Sequence, residues 1–319
     1  MFLMRASKVL LLWFCACAAM AQDYPSRPVR VLVGFPPGGA MDSVARVLTP
    51  RLAETMGQPF LVENRPGAGG AIAADALVKA GADGYTLLLA ESGTLIVPSL
   101  NPKVTYDPLR QFAPVAGACS LPLAFVVTPG FPAASVAELI AALKANPGKY
   151  SYASPGVGTL QHLAWELFSR QAGVSAVHVP YKGASAMMPD LMSGQVAIGV
   201  ISATVAIPQG KAGKIRTLAV TSARRMPDAM DLPALAETLP GFSAAPNVFL
   251  VAPVGTPPSV IQRLSAAARA AVASRDVEEN LARLGATPTP LGPDELGAQI
   301  AREVRQWAAV VKDAGIKVD

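Results

Sequence analysis

Cysteine, histidine and charge are all scarce in this chain of 319 residues, and each scarcity excludes something. Cys15 and Cys17 lie in an apolar stretch near the N-terminus, so Cys119 is the single thiol downstream of it. The downstream chain cannot close an internal disulfide, and its stability has to come from packing. Among Val115, Ala116, Ala118 and Leu121, Cys119 reads as a small buried apolar residue. The two histidines, His162 and His178, come with no G-x-S-x-G sequence, and the lone downstream cysteine has no acid–base partner near it in sequence. His162 and Glu166 stand at i and i+4 without an H-E-x-x-H pattern, which reads as a hydrogen-bonded helix pair rather than a metal site. No catalytic residue, metal site or cofactor is assigned. A basic stripe with interleaved aromatics is also missing, which argues against nucleic acid as a partner.

Long hydrophobic runs are absent too. The longest, Val9 to Cys17, falls short of the roughly 20 residues of a membrane-spanning helix. It follows Arg5 and Lys8 and precedes Ala19-Met20-Ala21, the arrangement of a secretory signal peptide over residues 1–21 that is cleaved before Gln22. Lipidation at Cys17 is the alternative, but Phe14-Cys15-Ala16 makes a poor lipobox. The expectation is an exported, soluble periplasmic protein. The formal charge of +5 falls to +3 without Arg5 and Lys8, a mild excess able to draw anions towards a cleft.

What remains is apolar, 51% of residues, enough for two cores. Short apolar runs alternate with helical patterns, the signature of an α/β protein with largely parallel sheets. Strands are expected at Val29 to Val33, Pro59 to Val62, Tyr85 to Leu89, Leu123 to Thr128, Tyr150 to Ala153, Ala176 to Val179, Val196 to Val200, Ile215 to Val220 and Val248 to Ala252. Met41, Val44, Ala45, Leu48 and Leu52 mark one face of a helix. Ser135 with Glu138 signals a helix start; Pro257 and Pro258 open another helix, and Gly315 ends the last, which begins at Pro293. No flexible linker separates domains. Crossing strands at Leu121 to Thr128 and Asn247 to Ala252 would instead insert one domain in another, with the C-terminal helices returning to the first.

Three glycine-bearing turns stand out. VGFPPGGAMD follows the first strand, but its spacing matches neither G-x-G-x-x-G nor a P-loop and it lacks the lysine. What survives is the physics beneath those motifs: free N–H groups at a helix N-terminus, approached closely over Gly38 and Gly39, hold an anion. SPGVGT at Ser154 to Thr159 repeats the arrangement with Thr159 at the cap, and ESGT at Glu91 to Thr94 is a third such turn. Open α/β sheets bind ligands beyond the carboxyl ends of their strands, where all three would lie.

The segments YPSRPVRVLVGFPPGGAMDSVAR, VENRPGAGG, DGYTLLL, YDPL, QHLAWELF, VHVPYKGASAMMPDLMSGQV and AGKIRTLAVTSARR, in this order, resemble the Bug-type receptors. These are the extracytoplasmic solute-binding components of tripartite tricarboxylate transporters. The resemblance implies a two-lobed periplasmic-binding-protein fold of the Venus-flytrap kind, type II-like, with two mixed sheets flanked by helices. It divides the chain into a first lobe of residues 22–122 plus 248–319 and an inserted lobe of 123–247. A small carboxylate would be held between them by backbone N–H groups and hydroxyls.

Carried onto this sequence, the ligand-binding positions are Phe35, Pro37, Gly38, Gly39 and Asp42, then Glu91, Ser92, Gly93 and Thr94 on the same lobe. Ser154, Gly156, Gly158 and Thr159 would face them, with Tyr181, Gly183 and Ala184 lining the same cleft. Asp42 is expected to fix its loop rather than touch the anion. The sequence departs from the family at Ala197 and Ile201, where relatives often carry Asp, at Asn247 in place of an aromatic residue, and at Glu91 in place of a small one. Pointing inward, Glu91 would repel a second carboxylate or pair with an amine or hydroxyl; pointing to solvent, it would do neither. The expected partners are an organic acid and membrane transporter subunits, with a monomer as the resting state. A periplasmic sensor that presents its loaded state to a signalling protein is the alternative, and a hydrolase using His162 the third reading.

Overall fold

The computed structural model describes residues 24–181 and 184–316. The signal-peptide expectation, and with it Cys15 and Cys17, lies outside the described residues, as does Gly183. Two β-sheets organise the chain. The first is built from β1 (Val29–Val33), α1 (Ala40–Met56), β2 (Phe60–Asn64), α2 (Ala71–Val78), β3 (Thr86–Glu91), α3 (Ser92–Leu100), α4 (Pro108–Gln111) and β4 (Phe112–Ser120). The second follows with β5 (Leu123–Val127), α5 (Val136–Ala145), β6 (Ser151–Ser154), α6 (Leu160–Ala172), β7 (Val177–Pro180), α7 (Ala184–Ser193), β8 (Ile198–Ser202), α8 (Ala203–Lys211) and β9 (Arg216–Val220). The chain then returns through β10 (Asn247–Pro253), α9 (Pro258–Val272), α10 (Arg275–Arg283), β11 (Thr287–Pro288) and α11 (Pro293–Ala314).

The six-stranded sheet has the order β11-β4-β10-β3-β1-β2 and the five-stranded sheet the order β7-β6-β8-β5-β9. β1 runs parallel to β2 and β3, and β6 parallel to β7 and β8. β10 is antiparallel to β3 and β4, and β5 antiparallel to β8 and β9. Both sheets are therefore mixed, as the resemblance implies, whereas the alternation of strand and helix patterns alone suggests largely parallel ones. Antiparallel pairing enters where the chain crosses: β4 leaves the first sheet beside β10, which comes back. The two crossings touch, with Leu121 N–H donating to the Pro246 carbonyl at 2.8 Å.

Burial on both sheet faces explains the continuous apolar strands. In β3, Leu87 and Leu89 join the core under α1 and α9, while Leu88 and Ala90 join the core with α2 and the start of α11. In β5, Phe125 and Val127 face one core of the second lobe and Ala124 and Val126 the other. Cys119 is fully buried, and burial pushes its thiol up to about 12, which fits an inert packing residue.

One expectation about the C-terminus needs correcting. Leu296 and Ile300 pack in the first lobe, but Trp307, Val310 and Val311, further along the same helix, pack with Trp165 and Phe168 of the second. Arg170 of α6 also pairs with Asp313 of α11. α11 belongs to both cores because its apolar stripe outlasts the surface of the first lobe.

Candidate functional site

The turn after β1 is held by a buried carboxylate. Gly38, at φ +79°, takes the left-handed conformation and donates its N–H to Asp42 Oδ2 at 2.9 Å. Asp42 also receives Arg46 Nε at 2.9 Å and Asn64 Nδ2 at 3.0 Å, and Asn64 reaches the Phe35 carbonyl as well. These bonds, the one from Arg46 foremost, hold the Asp42 carboxyl down at about 2. Its acceptor capacity is used inside the loop, so Asp42 positions Gly39, Ala40 and Met41 without facing the cleft itself. The N–H groups of Ala40 and Met41 open α1 and have no carbonyl to bond within the helix.

The turn before α6 has a related construction from different residues. Ser154 is fully buried; its hydroxyl meets His178 Nε2 at 2.7 Å and receives the Gly156 N–H. Thr159 donates to the Gly156 carbonyl at 2.7 Å and caps the helix by accepting from the His162 N–H. His162 Nδ1 accepts the Gly158 N–H at 3.1 Å, and the His162 ring stacks on His178 at 4.0 Å, which stacks on Tyr152 in turn. Burial lowers the His162 pKa to about 4, with the neighbouring His178 adding to the effect. A hydrolase role has no support here, because Nδ1 is already an acceptor for the loop and Glu166 is taken by the Tyr152 hydroxyl at 2.8 Å.

This arrangement gives a pH signature. A histidine whose folded pKa lies below its unfolded value stabilises the fold above about 6.5, and that stability drains away as pH falls through 4. His162 is expected to account for up to about 3 kcal/mol of acid destabilisation. Urea midpoints measured from pH 7 to pH 4 should fall less steeply for His162→Gln, which keeps an acceptor for Gly158, than for the wild-type protein.

Between the two turns lies a cavity of about 670 Å3. Phe35, Gly39, Glu91 and Gly93 line it from the first lobe, and Gly158 and Thr159 from the second. The structure thus brings these six sequence-predicted positions to one space. Pro37 and Gly38 shape the loop without lining the cavity. Ser92 and Thr94 are buried and do not line it: Ser92 Oγ accepts the Asn247 N–H at 2.8 Å, and the Thr94 main-chain carbonyl accepts the Tyr106 hydroxyl at 2.6 Å. Ser154 and Gly156 sit behind the α6 turn. Tyr181 is directed away by its bond to Asp190 Oδ2 at 2.6 Å, and Ala184 begins α7.

For Ser92 and Ser154 the cause is that a short hydroxyl beside a helix start braces the surrounding loop as readily as it faces a ligand. Sequence reasoning missed Val97, Leu123 and Leu284, which with Met41 of the first turn make the wall apolar, and Gln161, Ser202 and Thr204, which supply polar groups. Their side chains carry no motif; only the meeting of the lobes reveals them.

Glu91 lines the cavity, so the inward alternative is the one observed. Its carboxyl folds back towards the Gly93 N–H, yet burial, aided by the like charge of Glu303, raises it to about 7. Glu303 Oε1 receives Asn247 Nδ2 and Gln299 Nε2, each at 2.8 Å. Two of the family departures, Glu91 and Asn247, therefore meet across β3 and β10. The other two do not line the cavity: Ile201 is buried in one core of the second lobe and Ala197 packs against the other.

Residues 44–316 match the family described as Tripartite tricarboxylate transporter family receptor. The chain is 38% identical to Protein BugT of Bordetella pertussis over 306 residues, 95% of this chain and 94% of that one. Among solved structures it is similar to R. palustris Rpa4515 with adipate, at 36% identity and a TM-score of 0.75, covering 92% of this chain and 99% of the other. It is also similar to MatC from Rhodopseudomonas palustris with bound malate, at 32% identity and a TM-score of 0.71, covering 90% and 100%. Among the described residues no helix is long and apolar enough to cross a membrane.

Proposed function

Because this chain belongs to the tripartite tricarboxylate transporter receptor family, whose members are binding proteins and not enzymes, we propose that it captures a small organic acid in the periplasm and passes it to membrane transporter subunits. The observation that carries the reading is the placement of α1 and α6, whose N-termini open into one cavity from opposite lobes. Each offers first-turn N–H groups and the positive end of a helix dipole, so an anion between them is held from both sides. Holding from both sides also rewards closure, because the full set of contacts exists only when the lobes meet around the solute. Relatives with adipate and malate bound support the choice of an organic acid.

A thermal-shift screen over mono-, di- and tricarboxylates, aromatic acids and amino acids tests the reading, since a ligand of the native state raises Tm. Shifts with sugars but none with any acid would overturn it. Gly39→Val sharpens the test. Gly39 has φ −78° and its added Cβ would meet only the Pro36 carbonyl oxygen at 3.4 Å, so the backbone accepts the change. The valine narrows the approach to α1, and affinity for the best acid is expected to fall by about tenfold or more with Tm of the free protein retained. Affinity equal to wild type would make the glycine pair an ordinary turn. Delivery is checked separately, by whether membrane subunits co-purify with the loaded protein more than with the free one.

A further inference from the structure

The cavity wall is unusual in its charge. Among the described residues that line it there is no Lys, Arg, His or Asp, and the single ionisable side chain is Glu91. The polar groups beside it are uncharged: Asn101, Thr159, Gln161, Ser202 and Thr204. Favourable charge for an anion thus comes from helix N-termini, those of α1 and α6 and the starts of α3 and α8 at Gly93 and Ser202, and Glu91, once ionised, projects the opposite sign from the start of α3. The charged side chain that acts on Glu91 is Glu303, of the same sign, and the Gly93 N–H donates to it.

An acid with two carboxylates meets this wall badly. One carboxylate can sit at the helix ends, but the other has no cation to pair with and shares a low-dielectric space with Glu91. A donor in that second position changes the sign of the interaction: an ammonium pairs with the Glu91 carboxylate, and a hydroxyl donates to it. The apolar side chains of Met41, Val97, Leu123 and Leu284 suit a hydrocarbon body between the two ends.

We propose that Glu91 selects the solute class: a monocarboxylate that carries an ammonium or hydroxyl group on an apolar body, in preference to di- and tricarboxylates. This rests on the reading that the cavity holds an acid, and it sets this chain apart from the relatives with adipate and malate bound. A rejecting element of this kind gives specificity by penalising the wrong solute as much as by attracting the right one.

The test uses matched acids that differ only at one end: adipate, 6-hydroxyhexanoate and 6-aminohexanoate, with the four-carbon set of succinate, 4-hydroxybutanoate and 4-aminobutanoate. Calorimetric Kd values are measured at about pH 8, above the value of about 7 at which burial places the Glu91 carboxyl, for the wild-type protein and for Glu91→Gln, which keeps the size of the side chain and an acceptor for the Gly93 N–H. In at least one set the hydroxyl or amino acid is expected to bind about tenfold or more tightly than the diacid, and Glu91→Gln to bring the two within about threefold. A diacid that binds the wild-type protein as tightly as its partners overturns the inference while leaving the acid-binding reading in place. A preference unchanged in Glu91→Gln overturns it as well. No binding by either set, together with no response in the wider acid screen, removes both. Circular dichroism melts of the variant check that it is folded.

Discussion

Trp307→Ala is expected to cost about 3–5 kcal/mol of stability, and to do so in a lobe that its helix reaches only with its second half. Trp307 is 2% exposed and shares a core with Trp165, Phe168, Phe125 and Phe242. Truncation removes a large aromatic surface and leaves a cavity that neighbours held by β-sheet and helix cannot fill. Seven residues earlier on α11, Ile300 is buried instead with Phe249 and Val251 of the first lobe. Ile300→Ala should cost about 2–5 kcal/mol there. Urea unfolding followed by the emission of Trp165 separates the two positions: the Trp165 transition should move to lower urea in Trp307→Ala. A transition unchanged from wild type would mean that the shared helix does not stabilise the second lobe. The shared packing also bears on closure, because the lobes must reorient about a helix that both of them grip as well as about the crossing strands.

The architecture was legible where periodicity and turn chemistry agreed. β1 runs over Val29–Val33 as the apolar run indicates, and the face of α1 predicted from Met41, Val44, Ala45, Leu48 and Leu52 is buried. β4 was not legible. Its sequence, FAPVAGACS, is built of small residues and a proline without alternation, because another segment crowds against it. A Cβ on Gly117 would lie 2.3 Å from the Thr289 carbonyl oxygen, so glycine there admits the neighbouring backbone. Tertiary contact, not local preference, makes this stretch a strand, and its antiparallel pairing with β10 was hidden for the same reason. At the cavity, sequence reasoning located the helix ends that open into it. It did not tell which hydroxyls would be used up inside the loops, as those of Ser92 and Ser154 are, because their partners Asn247 and His178 are remote in sequence.

Glu91 and Asn247 show how two departures that look unrelated in sequence become one feature in space. Val248 pairs with Glu91 across β3 and β10, so replacing the residue before Val248 alters the ground on which Glu91 stands. Asn247 donates its side-chain amide to Glu303 and its main-chain N–H to Ser92, satisfying groups directly behind the cavity wall. An aromatic side chain at 247 would leave Glu303 without that donor, so a buried carboxyl at 303 and an amide at 247 support each other.

Asp42→Ala is the second large effect expected, and it joins stability to binding. The substitution leaves the Gly38 N–H without its acceptor and the Asn64 side-chain amide with the Phe35 carbonyl alone, at a cost of about 1–3 kcal/mol. Arg46→Ala should leave the urea midpoint close to wild type, because Arg46 is 57% exposed and its ion pair is screened by water. The contrast separates the two jobs of the carboxylate: pairing with Arg46 is dispensable, whereas fixing Gly38 and Asn64 is not. The pH dependence has a definite sign. Since the folded pKa of Asp42 lies near 2, below the usual 3.8, its stabilisation is complete above about pH 3.8 and is lost as pH falls towards 2. At neutral pH the freed loop no longer presents the N–H groups of Ala40 and Met41 at a fixed spacing from α6. Affinity for the best acid is therefore expected to drop by about tenfold or more in Asp42→Ala and to stay within about twofold in Arg46→Ala. Calorimetry on both variants, beside their urea midpoints, measures the two effects together. Equal loss of affinity in the two would show that the ion pair rather than the anchored loop positions the N-terminus of α1.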